Sequence, residues 1–374
     1  MWTYHNPVDL RFGRGGFDTV ASLVAGRPHA LVTYPDPLFS GLADALAARA
    51  GPPALTVADV EPNPDFALLA EQAARFRGGP AGPAVIVALG GGSVIDSAKV
   101  FAAAAGDFAR VRGYLETGEG GETLSATPII AVPTTAGTGS EVTCWGTVWD
   151  RAAGRKFSLA RPNLYPSHAV IDPDLMLAMP RGLTVATALD ALSHAFESIW
   201  NRNANPVSTG HAITAAREIL AVLPGLADAL DDIALRERMA RAAVFAGLAF
   251  SNTKTAIAHS ISYPVTLRHG VQHGIACSFT LPFVVRSLAG ADAACRQGLE
   301  AILGADLMAG ADRLEGFLHG LGVATAPAAY GIDREEWLEL ITMAVAGERG
   351  QNFVGTRETL LQADRQFFRQ IPAQ

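Results

Sequence analysis

The chain has 374 residues, of which 49% are hydrophobic and 17% are charged, and its formal net charge is -7. This length exceeds what one hydrophobic core usually serves and predicts two domains, while the composition excludes a disordered or fibrous chain. Because the acidic chain offers no broad basic field for nucleic acid or an anionic membrane, we expect a small molecule as its main partner.

Residues 1–14 carry polar and charged side chains throughout and lack the apolar segment of a signal peptide. The most apolar segments, such as 100–105, are much shorter than the roughly 20 residues that cross a membrane. Cys144, Cys277 and Cys295 are scattered and odd in number, as expected of reduced thiols, and predict no thiolate metal site. These features predict a cytoplasmic protein without membrane association.

The first half of the chain alternates short β-branched segments with helical ones, which is typical of βαβ units and a parallel sheet. The predicted strands are residues 30–33, 85–89, 128–132 and 169–171, and the predicted helices are 39–50 and 94–105. After Pro180, alanine- and leucine-rich segments with helical spacing continue to the C-terminus. We therefore predict an α/β domain over residues 1–178 and an all-helical domain over residues 179–374.

Glycines at positions 90–92 follow the predicted strand 85–89 and precede a helix. They allow the backbone to approach a phosphate closely, and Ser93 can cap the helix, whose N-terminal amides attract an anion. An ordinary tight turn is the alternative, and the motif is neither Gly-x-Gly-x-x-Gly nor a P-loop. Asp96 and Lys99, which follow in the helix, favour a dinucleotide or phosphate site.

A second polar loop, residues 133–141, also follows a predicted strand and is rich in hydroxyl groups. Thr134, Thr135, Thr138 and Ser140 can hydrogen-bond a pyrophosphate or a carboxamide without adding bulk, although a structural Ser/Thr turn has the same composition. Two such loops in one domain favour a dinucleotide as the ligand.

Residues 184–200 are predicted to form a helix in which Asp190 and His194 share one face, because they are four positions apart. Such a pair alone is more typical of a surface pair or a core histidine than of a metal site. His259 lies on a second predicted helix, which ends before Pro264.

His273 follows that second helix within about one loop. Three imidazoles and one carboxylate are then available, and this set suits Fe(II) or Zn(II) with one coordination position left for a substrate oxygen. Together, these residues predict a catalytic metal centre in the helical domain.

Four motifs occur in a fixed order over nearly the whole chain: Gly-Gly-Gly-Ser-x-x-Asp-x-x-Lys, Pro-Thr-Thr-Ala-Gly-Thr-Gly-Ser-Glu, Asp-x-x-x-His and a later His followed by His-Gly. With these motifs in this order, the chain resembles the iron-containing alcohol dehydrogenase family. Residues 262–282 are most similar to the branch of phosphonoacetaldehyde reductases, which form hydroxyethylphosphonate. The resemblance implies a dehydroquinate synthase-like fold, with a dinucleotide-binding N-domain, a metal-binding helical C-domain and a cleft between them. It also implies a homodimer or larger oligomer, built through residues 6–17.

The same resemblance implies roles for individual residues. The metal ligands would be Asp190, His194, His259 and His273. The cofactor contacts would be Asn63, Gly91, Gly92, Ser93, Thr134, Thr135, Thr138 and Lys156. Asp96 would lie near the nicotinamide and the substrate. The expected chemistry is hydride transfer between NADPH or NADH and a small aldehyde or alcohol, with Fe(II), or alternatively Zn(II), as a Lewis acid.

The sequence departs from the family pattern in two places. Many members have a histidine four positions after the third ligand, where this chain has Tyr263. Either Tyr263 or His269 is therefore expected to donate the proton, and the alternative is that each is only a packing residue. Many members also have an acidic residue after the first strand, where this chain has Tyr34. Without that carboxylate, which would repel a 2′-phosphate, the site can admit NADPH. The nearby Asp36 could take its place, so NADH is also a possible cofactor.

A phosphonate-bearing aldehyde also needs a cationic partner, for which Arg268 is the preferred candidate. A general alcohol dehydrogenase, a maleylacetate reductase or a sulfoacetaldehyde reductase would use the same cofactor and metal. A dehydroquinate synthase-like cyclase or lyase shares the architecture but needs many polar groups around a large substrate. A non-catalytic dinucleotide sensor would have no need of the metal ligands.

Overall fold

The computed structural model describes residues 1–77 and 82–369, with side chains described up to residue 364. It divides into two compact units. One comprises Asn6–Ala178, and the other comprises Met1–His5 together with the chain from Met179 onward.

The first unit is an α/β unit. Its strands are β1 (Asp9–Phe12), β2 (His29–Val32), β3 (Leu55–Val57), β4 (Val85–Gly90), β5 (Ile129–Pro133), β6 (Trp145–Asp150), β7 (Arg155–Ala160) and β8 (His168–Ile171). Its helices are α1 (Val20–Val24), α2 (Pro37–Ala50), α3 (Phe66–Ala74), α4 (Gly92–Ala104) and α5 (Phe108–Thr117). Six strands form a parallel sheet in the order β1-β8-β5-β4-β2-β3, and β6 and β7 form an antiparallel hairpin.

The central strands are apolar because both faces of the sheet are covered. In β4, Ile86 and Ala88 pack into one core, whereas Val85, Val87 and Leu89 pack into the other. A parallel strand buried on both faces has a continuous apolar sequence, which explains why β4, β5 and β8 could be predicted from the sequence. The edge strands β1 and β3 and the β6–β7 hairpin were not predicted. The strand β1, which lies within the segment proposed for dimerisation, pairs with β8.

The second unit is helical. Its helices are α6 (Arg181–Ile199), α7 (Pro206–Asp228), α8 (Ile233–Thr253), α9 (Ile257–His269), α10 (His273–Ser278), α11 (Leu281–Ser287), α12 (Ala293–Leu303), α13 (Leu307–Gly320), α14 (Arg334–Ala346) and α15 (Arg357–Arg369). The N-terminal residues pack on it, as Tyr4 Oη donates to the Leu248 carbonyl at 3.2 Å. No helix within the described residues has the length and apolar character of a membrane span. The predicted fold class is confirmed.

The predicted end of the second metal-site helix before Pro264 is wrong, because α9 continues through this proline to His269. An internal proline removes one backbone hydrogen bond and costs about 3 kcal/mol. The helix continues because Ile257, Ile261 and Val265, spaced by four residues, are all fully buried. It ends at Gly270, whose φ of 66° suits a left-handed cap.

Helix α10 lies so close to α6 that Gly274 has no room for a side chain. A Cβ at this position would lie 1.9 Å from the Ala186 carbonyl oxygen. We expect Gly274→Ala to lower the free energy of unfolding by about 1–3 kcal/mol or more, because backbone atoms must move apart. Chemical denaturation measures the effect. In the control Gly316→Ala, in α13, the added Cβ meets no atom within 4 Å. Equal effects of the two substitutions would contradict the steric argument.

Candidate metal centre and nucleotide loops

The four predicted ligands converge in the helical unit. Asp190 and His194 lie one turn apart on α6, His259 lies on α9, and His273 begins α10. The Asp190 Oδ1 atom is 3.7 Å from His194 Nε2, 3.4 Å from His259 Nε2 and 3.9 Å from His273 Nε2. The carboxylate is therefore the common neighbour of three imidazoles that come from three helices.

The donor atoms of this cluster fit a divalent metal. Asp190 Oδ1 and His259 Nε2 are buried, and within the described residues neither has a hydrogen-bond partner. An unsatisfied buried polar atom is costly, and a cation between these two atoms would satisfy both. Burial opposes ionisation of Asp190, but His194 and the other imidazoles outweigh it and hold the pKa of the carboxyl well below its usual range. An ionised carboxylate with imidazole nitrogens suits Fe(II) or Zn(II).

A buried carboxylate that was not predicted from the sequence supports His259. Glu197 is fully buried one turn beyond His194 on α6. Its Oε2 lies 2.6 Å from His259 Nδ1, and its Oε1 accepts from the His259 backbone N–H at 3.1 Å. This pairing assigns the ring proton to Nδ1 and directs Nε2 toward Asp190. A carboxylate behind a metal-binding histidine is a common arrangement that fixes the ring and its tautomer.

Cys277, for which the sequence predicted no metal site, lies beside the candidate ligands. Its Sγ and single donor atoms of Asp190, His259 and His273 all lie within 4.8 Å of one another. Cys277 lies four residues after His273, so both side chains point to the same face of α10. This spacing was the only signal in the sequence, and the scattered cysteine pattern concealed it.

The predicted proton donors lie in different surroundings. Tyr263 is one turn after His259 on α9, and its ring is stacked on His273 with centroids 6.1 Å apart. His269 Nε2, by contrast, is 3.0 Å from Glu336 Oε1, and Arg268 contacts the same oxygen at 3.3 Å. Tyr263 therefore lies beside the cluster, whereas His269 and the predicted anion contact Arg268 are engaged by Glu336.

In the α/β unit, the glycine loop leads directly from β4 into α4. The N-cap is Gly91, and no side chain caps this helix. The expectation that Ser93 caps the helix is therefore wrong, since Ser93 lies in the first turn and its Oγ accepts from the Asn63 backbone N–H at 3.2 Å. A helix N-terminus without a side-chain cap suits a phosphate.

The two polar loops pack against each other. A Cβ at Gly92 would lie 2.7 Å from Thr138 Cγ2, and one at Gly91 would lie 3.2 Å from Thr135 Cγ2. The Thr134 backbone N–H donates to the Gly90 carbonyl at 3.1 Å. The glycines are thus required for the close approach of the hydroxyl-rich loop. Most of the predicted cofactor contacts lie in these two loops, whereas Lys156 is on β7 with its ammonium 5.4 Å from the centre of the Trp149 ring.

Asp96 and Lys99 form hydrogen bonds that connect α4 to the hydroxyl-rich loop, residues 133–141, and to β6. The fully buried Lys99 donates to the Ser140 carbonyl and to the Trp145 carbonyl, each at 2.7 Å. Asp96 accepts from Ser140 Oγ at 2.5 Å and from the Thr147 backbone N–H at 2.8 Å. Asp96 therefore has a structural role in this loop, besides the predicted contact with nicotinamide and substrate.

We expect Glu141 to make stability depend on pH. Burial raises the pKa of Glu141 to about 7 from its ordinary value of 4.5. Because the folded state then binds the proton more tightly than the unfolded state, stability falls as pH rises between these values. Relative to Glu141→Gln, the wild type should lose about 3 kcal/mol between pH 4.5 and pH 8, measured by denaturant unfolding. The same pH dependence of stability in the wild type and in Glu141→Gln would contradict this prediction. The control is Glu119→Gln, because Glu119 is exposed.

Comparison with known proteins identifies the family. Residues 7–173 match the family model of iron-containing alcohol dehydrogenase, and residues 184–362 match that of the C-terminal part of Fe-containing alcohol dehydrogenases. Phosphonoacetaldehyde reductase of Streptomyces viridochromogenes is 39% identical over 251 residues, which cover 66% of this chain and 62% of the relative. NAD-dependent methanol dehydrogenase of Bacillus methanolicus is 39% identical over 199 residues, which cover 53% of this chain and 52% of the relative.

The alignment thus spans less than two thirds of these two curated relatives. Among solved structures, sulfoacetaldehyde reductase from Bifidobacterium kashiwanohense, in complex with NAD+, is 30% identical with a TM-score of 0.89, and 98% of each chain is covered. The 1,3-propanediol oxidoreductase structure is 27% identical with a TM-score of 0.83, covering 98% of this chain and 99% of that one. The chain belongs to the iron-containing alcohol dehydrogenase family.

Proposed function

We propose that the protein is an iron-dependent oxidoreductase that uses NADPH or NADH to reduce a small aldehyde. The observation that carries the proposal is the buried cluster around Asp190, in which Asp190 Oδ1 and His259 Nε2 have no hydrogen-bond partner within the described residues. Membership of the family and the names of the relatives support an oxidoreductase. A dehydroquinate synthase-like lyase is the alternative from a different class.

When bound, the metal supplies Lewis-acid polarisation of a carbonyl group and the nicotinamide supplies the hydride. Asp190 and the three imidazoles would hold the metal, and Glu197 would keep the His259 ring in place. Tyr263, whose ring stacks on His273, is our candidate to donate a proton from Oη to the product oxygen. His269 would need to separate from Glu336 before it could take this role.

The cofactor would be held by the N-terminus of α4 and by the hydroxyl-rich loop, with Asn63, Ser93 and Lys156 as further contacts. Tyr34 follows β2, and the nearby Asp36 carboxylate caps α2 by accepting from the Leu38 backbone N–H at 2.9 Å. Because Asp36 is engaged in this way, we propose that the protein accepts NADPH. A solved relative binds NAD+, so NADH is tested beside it.

For the substrate, we propose phosphonoacetaldehyde, with 2-hydroxyethylphosphonate as its product. A phosphonoacetaldehyde reductase and a sulfoacetaldehyde reductase are both among the relatives, and their substrates share a two-carbon aldehyde that bears an oxyanion group. Arg268 remains our candidate for the anion contact, although it must exchange Glu336 for the substrate. We also propose a homodimer, which analytical ultracentrifugation would test.

The protein, loaded anaerobically with Fe(II), would be assayed for NADPH and NADH oxidation. The substrates would be phosphonoacetaldehyde, sulfoacetaldehyde, maleylacetate and propanal. We expect the highest kcat/KM with phosphonoacetaldehyde and loss of turnover in His259→Ala. Activity confined to uncharged aldehydes would overturn the phosphonate assignment, and activity that survives in His259→Ala would overturn the metal site. Product formation without oxidation of the reduced cofactor would favour the lyase.

A further inference from the structure

We propose that Tyr34 binds the pyrophosphate of the dinucleotide, with its phenolic O–H as a neutral hydrogen-bond donor. The proposal rests on the cofactor binding of the proposed function. Tyr34 lies just beyond the carboxyl end of β2, and β2 pairs in parallel with β4, which leads through the glycine loop into α4. Because the carboxyl ends of adjacent parallel strands lie at the same edge of the sheet, Tyr34 comes next to the loop that would hold the phosphates.

The Tyr34 hydroxyl lies against the N-terminus of α4. A Cβ at Gly91, the N-cap residue, would be 3.6 Å from Tyr34 Oη. Tyr34 is also hydrogen-bonded to the side chain of Ser93, which belongs to the first turn of the helix. An anion held by the backbone N–H groups of this turn would therefore meet the phenolic hydroxyl as well.

The phenol has a proton to offer to that anion. Ser93 Oγ already accepts from the Asn63 backbone N–H at 3.2 Å, and its own proton is available to Tyr34 Oη. When Oη accepts this proton, the phenolic proton is left for an oxygen of the ligand. Burial raises the pKa of Tyr34 above its ordinary value of 10, so the group stays neutral at physiological pH and does not repel a phosphate.

The ring is held in place before any ligand binds. It packs on the apolar core of the α/β unit, and it makes an edge-on contact with Phe39, with ring centroids 5.2 Å apart. A side chain that is already ordered loses little conformational freedom on binding, so more of its hydrogen-bond energy appears as affinity. Since NADPH and NADH share the pyrophosphate, Tyr34 would strengthen the binding of both cofactors equally.

Fluorescence titrations of the protein with NADPH and with NADH test this contact without turnover. Tyr34→Phe keeps the ring and removes only the hydroxyl. We expect it to weaken both cofactors by the same factor of about 10, which is typical of losing one hydrogen bond to a charged group. The matched control is Tyr330→Phe, because Tyr330 Oη donates to the Ala324 carbonyl at 2.8 Å in the helical unit. It should leave both affinities unchanged.

Unchanged affinities in Tyr34→Phe would overturn the proposal. A loss confined to NADPH would also overturn it, because the hydroxyl would then contact the 2′-phosphate instead of the pyrophosphate. Both results leave the proposed function intact. A wild-type protein that binds neither cofactor would overturn the proposed function together with this proposal.

A second variant tests the neutral charge of the donor. Tyr34→Asp replaces the phenol with a carboxylate, which has no proton to donate at neutral pH and repels phosphate groups. We therefore expect it to weaken NADPH binding by more than the factor of about 10 expected for Tyr34→Phe. An equal or smaller loss in Tyr34→Asp would place the phosphates of the cofactor away from this side chain and would overturn the proposal.

Discussion

Glu197→Gln is expected to weaken divalent-metal binding by about 10- to 100-fold. Glu197 Oε2 is 2.6 Å from His259 Nδ1, and Oε1 accepts from the His259 backbone N–H. A glutamine has only one accepting oxygen, so one of these two interactions is lost and the ring is less firmly oriented. Without the carboxylate, the proton is also less firmly held on Nδ1, and Nε2 is less available to a cation.

Competition with a metal indicator measures the affinity of the folded protein, and denaturant unfolding measures stability separately. Glu218→Gln is the matched control, because Glu218 is ion-paired with Arg238 at 2.7 Å and is not part of the cluster. An unchanged metal affinity together with lower stability would show that Glu197 only supports the fold. Partial recovery in Glu197→Asp would support the role of its charge.

Lys99→Met is expected to lower the free energy of unfolding of the α/β unit by about 3–5 kcal/mol, which is typical of removing one partner from a buried ionic network. Lys99 is fully buried, and burial lowers its pKa to about 8 although Asp96 opposes this shift. The substitution removes the donor for the Ser140 and Trp145 carbonyls. It also removes the positive charge of Lys99, which favours the ionised form of the buried Asp96 carboxyl.

Chemical denaturation of the metal-free protein measures this effect, and fluorescence titration with NADPH measures whether the loop still binds the cofactor. Lys254→Met is the control, because the Lys254 side chain is half exposed and its ion pair with Glu348 has a length of 3.9 Å. We expect the control to change stability by no more than about 0.5 kcal/mol. A loss below about 1 kcal/mol in Lys99→Met would contradict the proposed role of the ammonium group.

Some elements were predictable because their sequence pattern is itself the consequence of their surroundings. The strand β4 is apolar at every position because helices cover both faces of the sheet, so its sequence predicts a buried parallel strand. The edge strands β1 and β3 are shorter and partly polar, and they are defined by hydrogen bonds to β8 and β2. Their pairing depends on residues far away in the chain, which local sequence patterns do not reveal.

The same reasoning applies to the end of α9. A proline is a local signal for a helix end, and it led to the wrong boundary at Pro264. The burial of Ile261 and Val265 on one face stabilises the longer helix and outweighs the local preference. Tertiary packing commonly overrides intrinsic helix propensity in this way.

The sequence by itself determined the fold class, the family and the residue types of the candidate metal centre. Motif order and helical spacing are visible in the sequence without knowledge of any tertiary contact. Asp190 and His194 had to share a face of one helix. Only the tertiary structure decided that Glu197 supports His259, that Cys277 lies beside the candidate ligands, and that Arg268 and His269 meet at Glu336. These contacts join side chains from different helices, and their geometry arises only when the helices pack.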